Sequence, residues 1–368
     1  MKNPPVKHKN APLPAHPLRT KPLLPHASTK AGRFGKVRRP FGDPVADPKN
    51  SPYFEPPPLT NLVNFNLPMS AILPDEAQAA IAAGKLVFHS VGDTGGIHGD
   101  SVQITVSDAM EAQITNANNN QETPRFLYML GDVVYFNGVS YLYGPQFYEP
   151  YKHYPAAIVA IAGNHDGDIR TRKNDPPDRE TSLFGFMHNF CDSAPQNIYA
   201  YRPTMTQPYV YWTLDCPFAT IIGLYSNVEG SLDPRGGQEQ QSWFEAQMTQ
   251  APANKALIVT VHHPPYSLDA SHGGTPDIEI AIDRAIQNTG RKPDAVFSGH
   301  VHDYQRFERT LAGKKIPYVV AGAGGYANTP QLMHRLQKGT FTLPYQTTHT
   351  DVTLMKYNEV DPGFLRVT

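Results

Sequence analysis

The chain has 368 residues, is 40% hydrophobic and carries a net charge of −1, which suffices for one large α/β domain or two ordinary ones. No apolar run approaches the roughly 18 residues of a membrane-spanning helix, and no apolar core follows the first lysines as in a secretory signal, so a cytoplasmic protein without a membrane span is expected. Cys191 and Cys216 are its only cysteines, too few for a disulfide framework and compatible with one bridge or two free thiols.

The small net charge hides a split. Residues 1–42 hold ten Lys or Arg and no acid, so the remaining 22 basic residues face all 33 acids. Residues 1–58 also hold 14 of the 36 prolines and show little hydrophobic periodicity. Such a composition cannot bury a core, and residues 1–58 are expected to be a disordered arm. Weak contact between residues 1–42 and nucleic acid or an anionic surface is one use for the arm; a solubilising tail is the simpler alternative.

Residues 59–84 read as a lead-in. Pro74, Asp75 and Glu76 open a short helix through Ala83, with Gly84 as its stop. Lys85 to Val91 reads as the first central strand and ends on Gly92-Asp93. A helix is predicted from about Ser101 to Ala117, with Val102, Val106, Met110 and Ile114 on one face. Phe126 to Leu130 is the next strand, ending on Gly131-Asp132, with Tyr135 three residues on. Ala156 to Ile161 is another, ending on Gly163-Asn164-His165-Asp166.

Residues 167–208 are polar and Pro-rich, and are read as an insertion over one edge of the site within a single domain spanning 59–368. Tyr209–Leu214 and Ala219–Tyr225 alternate around a turn and predict a hairpin. A helix from about Gln238 to Met248 should turn Trp243 and Phe244 inward. Leu257 to Val261 runs into His262-His263-Pro264-Pro265, and a helix around Asp277 to Gln287 carries Ile278, Ile282, Ala285 and Ile286. Ala295 to Phe297 ends at Gly299-His300-Val301-His302, and Pro317 to Val320 is one more strand. Strands alternating with helices give an α/β fold, with ligands at the carboxyl ends of the strands. Gly363 to Thr368 has a strand pattern that runs to the last residue, so one or more closing strands are expected to be lacking.

Five strands therefore finish on Asp93, Asp132, Asn164, His262 and the His300/His302 pair. Any one ending could be a turn residue or a structural histidine. Together they are the residue types that a mixed nitrogen and oxygen metal site requires. A carboxylate has two oxygens and can bridge two cations, so a dinuclear centre is expected.

In this order the five blocks resemble the calcineurin-like metallophosphoesterases, over about residues 85–325. That family implies two mixed β-sheets packed as a sandwich flanked by helices, around a βαβαβ core. Many members have a histidine two residues after the first aspartate, where this chain has Gly95. Purple acid phosphatases have glycine there and a tyrosine three residues after the second aspartate, the position of Tyr135. The chain is therefore most similar to that branch. It departs from plant-type members, which carry a β-sandwich domain ahead of the catalytic one; the 84 residues here have no composition for one.

The resemblance implies one ion held by Asp93, Asp132, Tyr135 and His302, and another by Asp132, Asn164, His262 and His300. A phenolate suits Fe(III); two imidazoles and an amide suit a divalent Fe, Zn or Mn. The implied reaction is attack of a metal-bound hydroxide on a phosphomonoester, the substrate being a phosphorylated small molecule. His165 and His272 are the expected substrate-facing histidines, Asp166 is expected to orient His165, and His263 is read as supporting a ligand. The alternatives are a phosphodiesterase acting on nucleotides or lipid head groups, and an inactive metal- or phosphate-binding scaffold.

Overall fold

In the computed structural model the described residues are 65–96, 99–117, 119–168, 180–234, 237–326, 336 and 341–368. The basic arm, residues 1–58, lies outside them, as do residues 169–179 of the 167–208 stretch. In chain order the elements are β1 (Asn66–Pro68), α1 (Met69–Ile72), α2 (Pro74–Ala83), β2 (Phe88–Val91), α3 (Ser101–Thr115), β3 (Phe126–Met129) and β4 (Ala157–Ala160). There follow α4 (Asn164–Gly167), α5 (Phe184–Phe190), β5 (Trp212–Asp215), β6 (Ala219–Leu224), α6 (Glu239–Gln250), β7 (Ala256–Val261), α7 (Pro276–Thr289) and β8 (Ala295–Ser298). The chain closes with β9 (Tyr304–Leu311), β10 (Lys314–Ala321), β11 (Tyr345–Gln346), β12 (Val352–Asn358) and β13 (Leu365–Val367).

These strands make two mixed sheets, as the resemblance implied. One runs β13-β2-β3-β4, and the other β1-β5-β6-β7-β8-β10-β9-β12-β11. In the first, β2, β3 and β4 are parallel and β13 pairs antiparallel with β2. In the second, β6, β7, β8 and β10 are parallel, and the predicted hairpin forms as the antiparallel pair β5–β6.

Side-chain alternation explains how the sheets stack. Successive strand residues face opposite sides. Ile221, Ile258, Phe297 and Val319 join one core with Phe88, Phe126 and Tyr128 of the facing sheet. Their neighbours Ile222, Val259, Val296 and Tyr318 join a second core on the outer face. There Phe244 and Met248 of α6 and Ile278, Ile282 and Ala285 of α7 cover them. With both faces covered, the parallel strands are near-continuous apolar runs, which is how they appear in the sequence.

The helices keep to the predicted faces with two additions. Val106 and Met110 of α3 are buried, but so are Gln103 and Ser107. Phe244 is fully buried, whereas Trp243 is only partly so and packs its ring against Tyr211 at 4.9 Å. In α5, Phe186, Met187 and Phe190 are buried in the same core as β3 and β4. Both cysteines are buried free thiols. Among the described residues no helix is long and apolar enough to cross a membrane.

Ile282 is 1% exposed in the outer core. Ile282→Ala should lower unfolding free energy by about 2–5 kcal/mol, from lost transfer energy and the cavity left behind. Denaturant unfolding measures this, and a loss below about 1 kcal/mol would show that α7 does not depend on that contact.

Candidate metal centre

The parallel strands of both sheets end at one edge of the sandwich. Asp93 follows β2, Asp132 follows β3, Asn164 follows β4, His262 follows β7, and His300 follows β8. Asp93, Asp132 and His300 have φ of 58°, 50° and 68°, the left-handed region that non-glycine residues seldom occupy. Such strain, about 1–3 kcal/mol each, collects where the surroundings over-determine a conformation. Here cross-links between the loops supply that determination. The Asp93 amide donates to the Gly131 carbonyl at 3.0 Å, Thr94 N to the Asp132 carbonyl at 3.1 Å, and His300 N to Asp93 Oδ2 at 2.7 Å.

The seven predicted ligands come together in two groups. In the first, the Tyr135 hydroxyl donates to Asp93 Oδ1 at 3.0 Å, and His302 Nε2 lies 3.4 Å from both of those oxygens. In the second, Asn164 Oδ1 lies 3.0 Å from His262 Nε2 and 3.0 Å from His300 Nδ1, and Asp132 Oδ2 lies 3.2 Å from His262 Nε2. Ligand atoms of Asp132, His262 and His300 all lie within 4.8 Å of one another.

The second group fits a cation on chemical grounds. His262 Nδ1 lies 2.8 Å from the Leu130 carbonyl, which can only accept, so Nδ1 carries the proton. With Nδ1–H so committed, Nε2 is the atom that faces the oxygens of Asn164 and Asp132, where it holds a proton or offers its lone pair to a cation. Lone pairs gathered at 3 Å repel one another unless something positive sits among them. Ligands about 2.0–2.2 Å from a metal stand about 3 Å apart when at right angles, which is the spacing observed.

The electrostatics agree. Burial opposes a charge on His262, but the carboxylates of Asp132 and Asp93 override it and push its pKa up to about 9. Burial, aided by repulsion from Asp132, raises Asp93 to about 7 against the pull of His262. Asp132 is held below the ordinary carboxylate range: burial opposes this, and His262 and His165 overcome it. Burial drives His302 down to about 3 and His300 well below the usual imidazole value. His300 and His302, which resist protonation, stand with two buried carboxylates as the kind of deprotonated donors that a metal ion requires.

Of the other predicted residues, His165 sits over the cluster, its ring 4.6 Å from that of Tyr135. Its Nδ1 donates to the Phe136 carbonyl at 2.7 Å, and its amide donates to Asp132 Oδ1 at 2.8 Å. Asp166 was expected to orient His165, but its carboxylate is fully buried and accepts instead from the amides of Gly163 at 2.8 Å and Val133 at 3.2 Å. The cause is its position in α4, where the carboxylate folds back under the 131–134 loop. Asp166 thus stitches the loops of β3 and β4, and the Phe136 carbonyl orients His165. His272 is partly exposed beside His300, ring to ring 4.8 Å, its amide donating to Asp269 Oδ2 at 2.6 Å. His263 is buried, with Nδ1 2.7 Å from Ser226 Oγ.

Sequence reasoning missed Gln146. Its side chain accepts from the Tyr135 amide and donates to the Tyr135 carbonyl, both at 2.8 Å, and so fixes the backbone that carries the phenol. It lies in a π-helical turn, Gly144–Tyr148, and no spacing rule marks it. The backbone acceptors Leu130 and Phe136 carry no side-chain signal at all. Gly95 gains a reason here. A Cβ at that position would stand 2.5 Å from Gln146 Oε1 and 2.8 Å from Tyr135 Cδ2. The space that a side chain would need is filled by the tyrosine and its clamp.

The family model described as Calcineurin-like phosphoesterase matches residues 88–304. Purple acid phosphatase 21 of Arabidopsis thaliana is 28% identical over 124 residues, 32% of this chain and 27% of that protein. The probable glycerophosphodiester phosphodiesterase GpdQ of Arcobacter nitrofigilis is 31% identical over 103 residues, 27% of this chain and 36% of that protein. The chain thus spans about a quarter to a third of the length of the curated relatives it matches. The purple acid phosphatase PPD1 of yellow lupin (Lupinus luteus) shares the fold with a TM-score of 0.54 at 16% identity, over 76% of this chain and 48% of that one.

Gly95→Ala tests the packing around Tyr135. The added methyl should displace Tyr135 or Gln146, lower unfolding free energy by about 1–3 kcal/mol and reduce the metal retained by purified protein. Calorimetric unfolding and elemental analysis measure both, and an unchanged protein would contradict the account of why glycine stands there.

Proposed function

Because the chain belongs to the calcineurin-like phosphoesterase family, which is metal-dependent, we propose that it is a phosphomonoesterase of purple-acid-phosphatase type that works with two metal ions. The observation that carries this reading is the sorting of seven side chains, from the two sheets, into two donor groups: Asp93, Tyr135 and His302 in one, and Asp132, Asn164, His262 and His300 in the other. Asp93, Tyr135 and His302 would hold one ion, Asn164, His262 and His300 the other, and Asp132 would bridge. The phenol favours Fe(III) in the first position; two imidazoles and an amide favour a divalent Fe, Zn or Mn in the second. Bound together, such ions activate the attacking water and neutralise the phosphoryl oxygens.

The protein's own residues supply the rest. The attacking water oxygen bonds to phosphorus, the ester P–O bond breaks, and the leaving oxygen must gain a proton. His165 is assigned to that oxygen. With Nδ1–H committed to the Phe136 carbonyl, Nε2 is the atom that holds or gives the proton. The amide of His165 also fixes Asp132 Oδ1, so the proton donor and the bridging carboxylate are located by one residue. His272, on the His300 side, is assigned to the phosphoryl oxygens.

The second reading is a phosphodiesterase, favoured by the 31% identity to a protein described as a glycerophosphodiester phosphodiesterase. The donor groups serve either ester. Turnover of matched mono- and diester substrates separates the two readings, with the monoester expected to be faster.

Asp132→Asn should strip both ions and abolish turnover; retained metal and activity would contradict the bridging role. His165→Ala should keep the metals and lower kcat by roughly 10²–10⁴-fold, the range for loss of a general acid or base. Tyr135→Phe should remove visible charge-transfer absorption while leaving the fold intact. A colourless, iron-free wild-type protein would overturn the iron assignment.

A further inference from the structure

Outside the donor groups the mouth of the site is rimmed by flat rings. Tyr326 packs its ring 4.0 Å from that of His302 and 4.4 Å from that of Tyr135. Phe136 lies 6.2 Å from Tyr326 and 5.7 Å from His165. Tyr135 and His302 are buried, whereas Phe136, His165 and Tyr326 are half-buried. The last three therefore form an outer layer over an inner one. Both aromatics are held by their backbones: the Tyr326 amide donates to the Asp93 carbonyl at 2.9 Å, and the Phe136 carbonyl accepts from His165 at 2.7 Å. The ledge is thus fixed to the same loops that bear the donors, and little ordering remains to be done when a ligand arrives. None of the chemistry assigned above uses these two rings.

We propose that Phe136 and Tyr326 form an aromatic ledge that receives a planar ring on the ester oxygen, so that the preferred substrates are phosphomonoesters of ring-bearing alcohols such as phenols. This rests on the phosphoesterase reading of the donor groups. With the phosphoryl group among the donors, the substituent on the ester oxygen leaves past Tyr135, whose ring is 4.4 Å from Tyr326. A planar ring there meets aromatic faces at the 4.5–7 Å centroid separations typical of stacked and edge-to-face pairs. A short alkyl group cannot fill that surface.

The test uses metal-loaded protein: wild type, Tyr326→Ala, Phe136→Ala and Tyr326→Phe. Two ratios are read: kcat/KM for phenyl phosphate over ethyl phosphate, and affinity for phenylphosphonate over methylphosphonate by calorimetry. Leaving-group chemistry differs between the esters, so the change in each ratio between variants isolates the ledge. Both ratios should fall about fivefold to tenfold in Tyr326→Ala, the size of an aromatic pair contact, fall also in Phe136→Ala, and be kept in Tyr326→Phe. Ratios unchanged in both alanine variants overturn the ledge, even if hydrolysis is robust. If neither ester is hydrolysed but phenylphosphonate keeps a preference that Tyr326→Ala removes, the ledge stands and the hydrolytic reading falls.

Discussion

The structure depends on the convergence of lone pairs around Asp132. One of its oxygens faces His262 Nε2 at 3.2 Å, the other accepts the His165 amide at 2.8 Å, and Asn164 Oδ1 stands 3.0 Å from His262 Nε2. Three strand ends, those of β3, β4 and β7, have to be brought together for this to happen. The sandwich does so because β2, β3 and β4 of one sheet and β7 and β8 of the other all finish at the same edge. Left-handed backbone at Asp93, Asp132 and His300 is the local strain that this arrangement carries, and inter-loop hydrogen bonds offset it. Ionised carboxylates beside neutral imidazoles are stable in such a buried place when a cation is present and poorly so without one.

Much of this was legible in the sequence, for a definable reason. A strand of a parallel sheet covered on both faces is an apolar run, and a donor placed just beyond that run is necessarily at the ligand-binding edge. Asp93, Asp132, Asn164, His262 and His300 all satisfy that rule. Helices α2 and α7 announce themselves through Pro at the start, acids in the first turn and a left-handed glycine, Gly84 or Gly290, at the end. The β5–β6 hairpin follows from alternation.

What escaped notice was carried by the backbone or by long-range contact. The carbonyls of Leu130 and Phe136 set the tautomers of His262 and His165, and any residue type could have supplied them. Gln146 acts across eleven positions on a single neighbour, Tyr135, so no period points to it. Strands β9 and β12 pair with each other across a bulge between Leu354 and Lys356, and their mixed polar pattern hides them. Asp166 misled for a related reason. A carboxylate next to a site histidine is a natural partner for it, but a four-residue helix turns this one inward to the amides of Gly163 and Val133. The exchange of a histidine position for glycine at 95 is the instructive case: one missing side chain and one added phenol are a single packing decision, since both cannot occupy the space beside Gln146.

The central claim is that two cations share Asp132, and metal-edge anomalous diffraction from crystals of the purified protein tests it most directly. The account predicts two peaks about 3.5–4 Å apart, one beside Tyr135 and His302, the other beside Asn164, His262 and His300, with Asp132 between them. A single peak, or none at full metal loading, would contradict it.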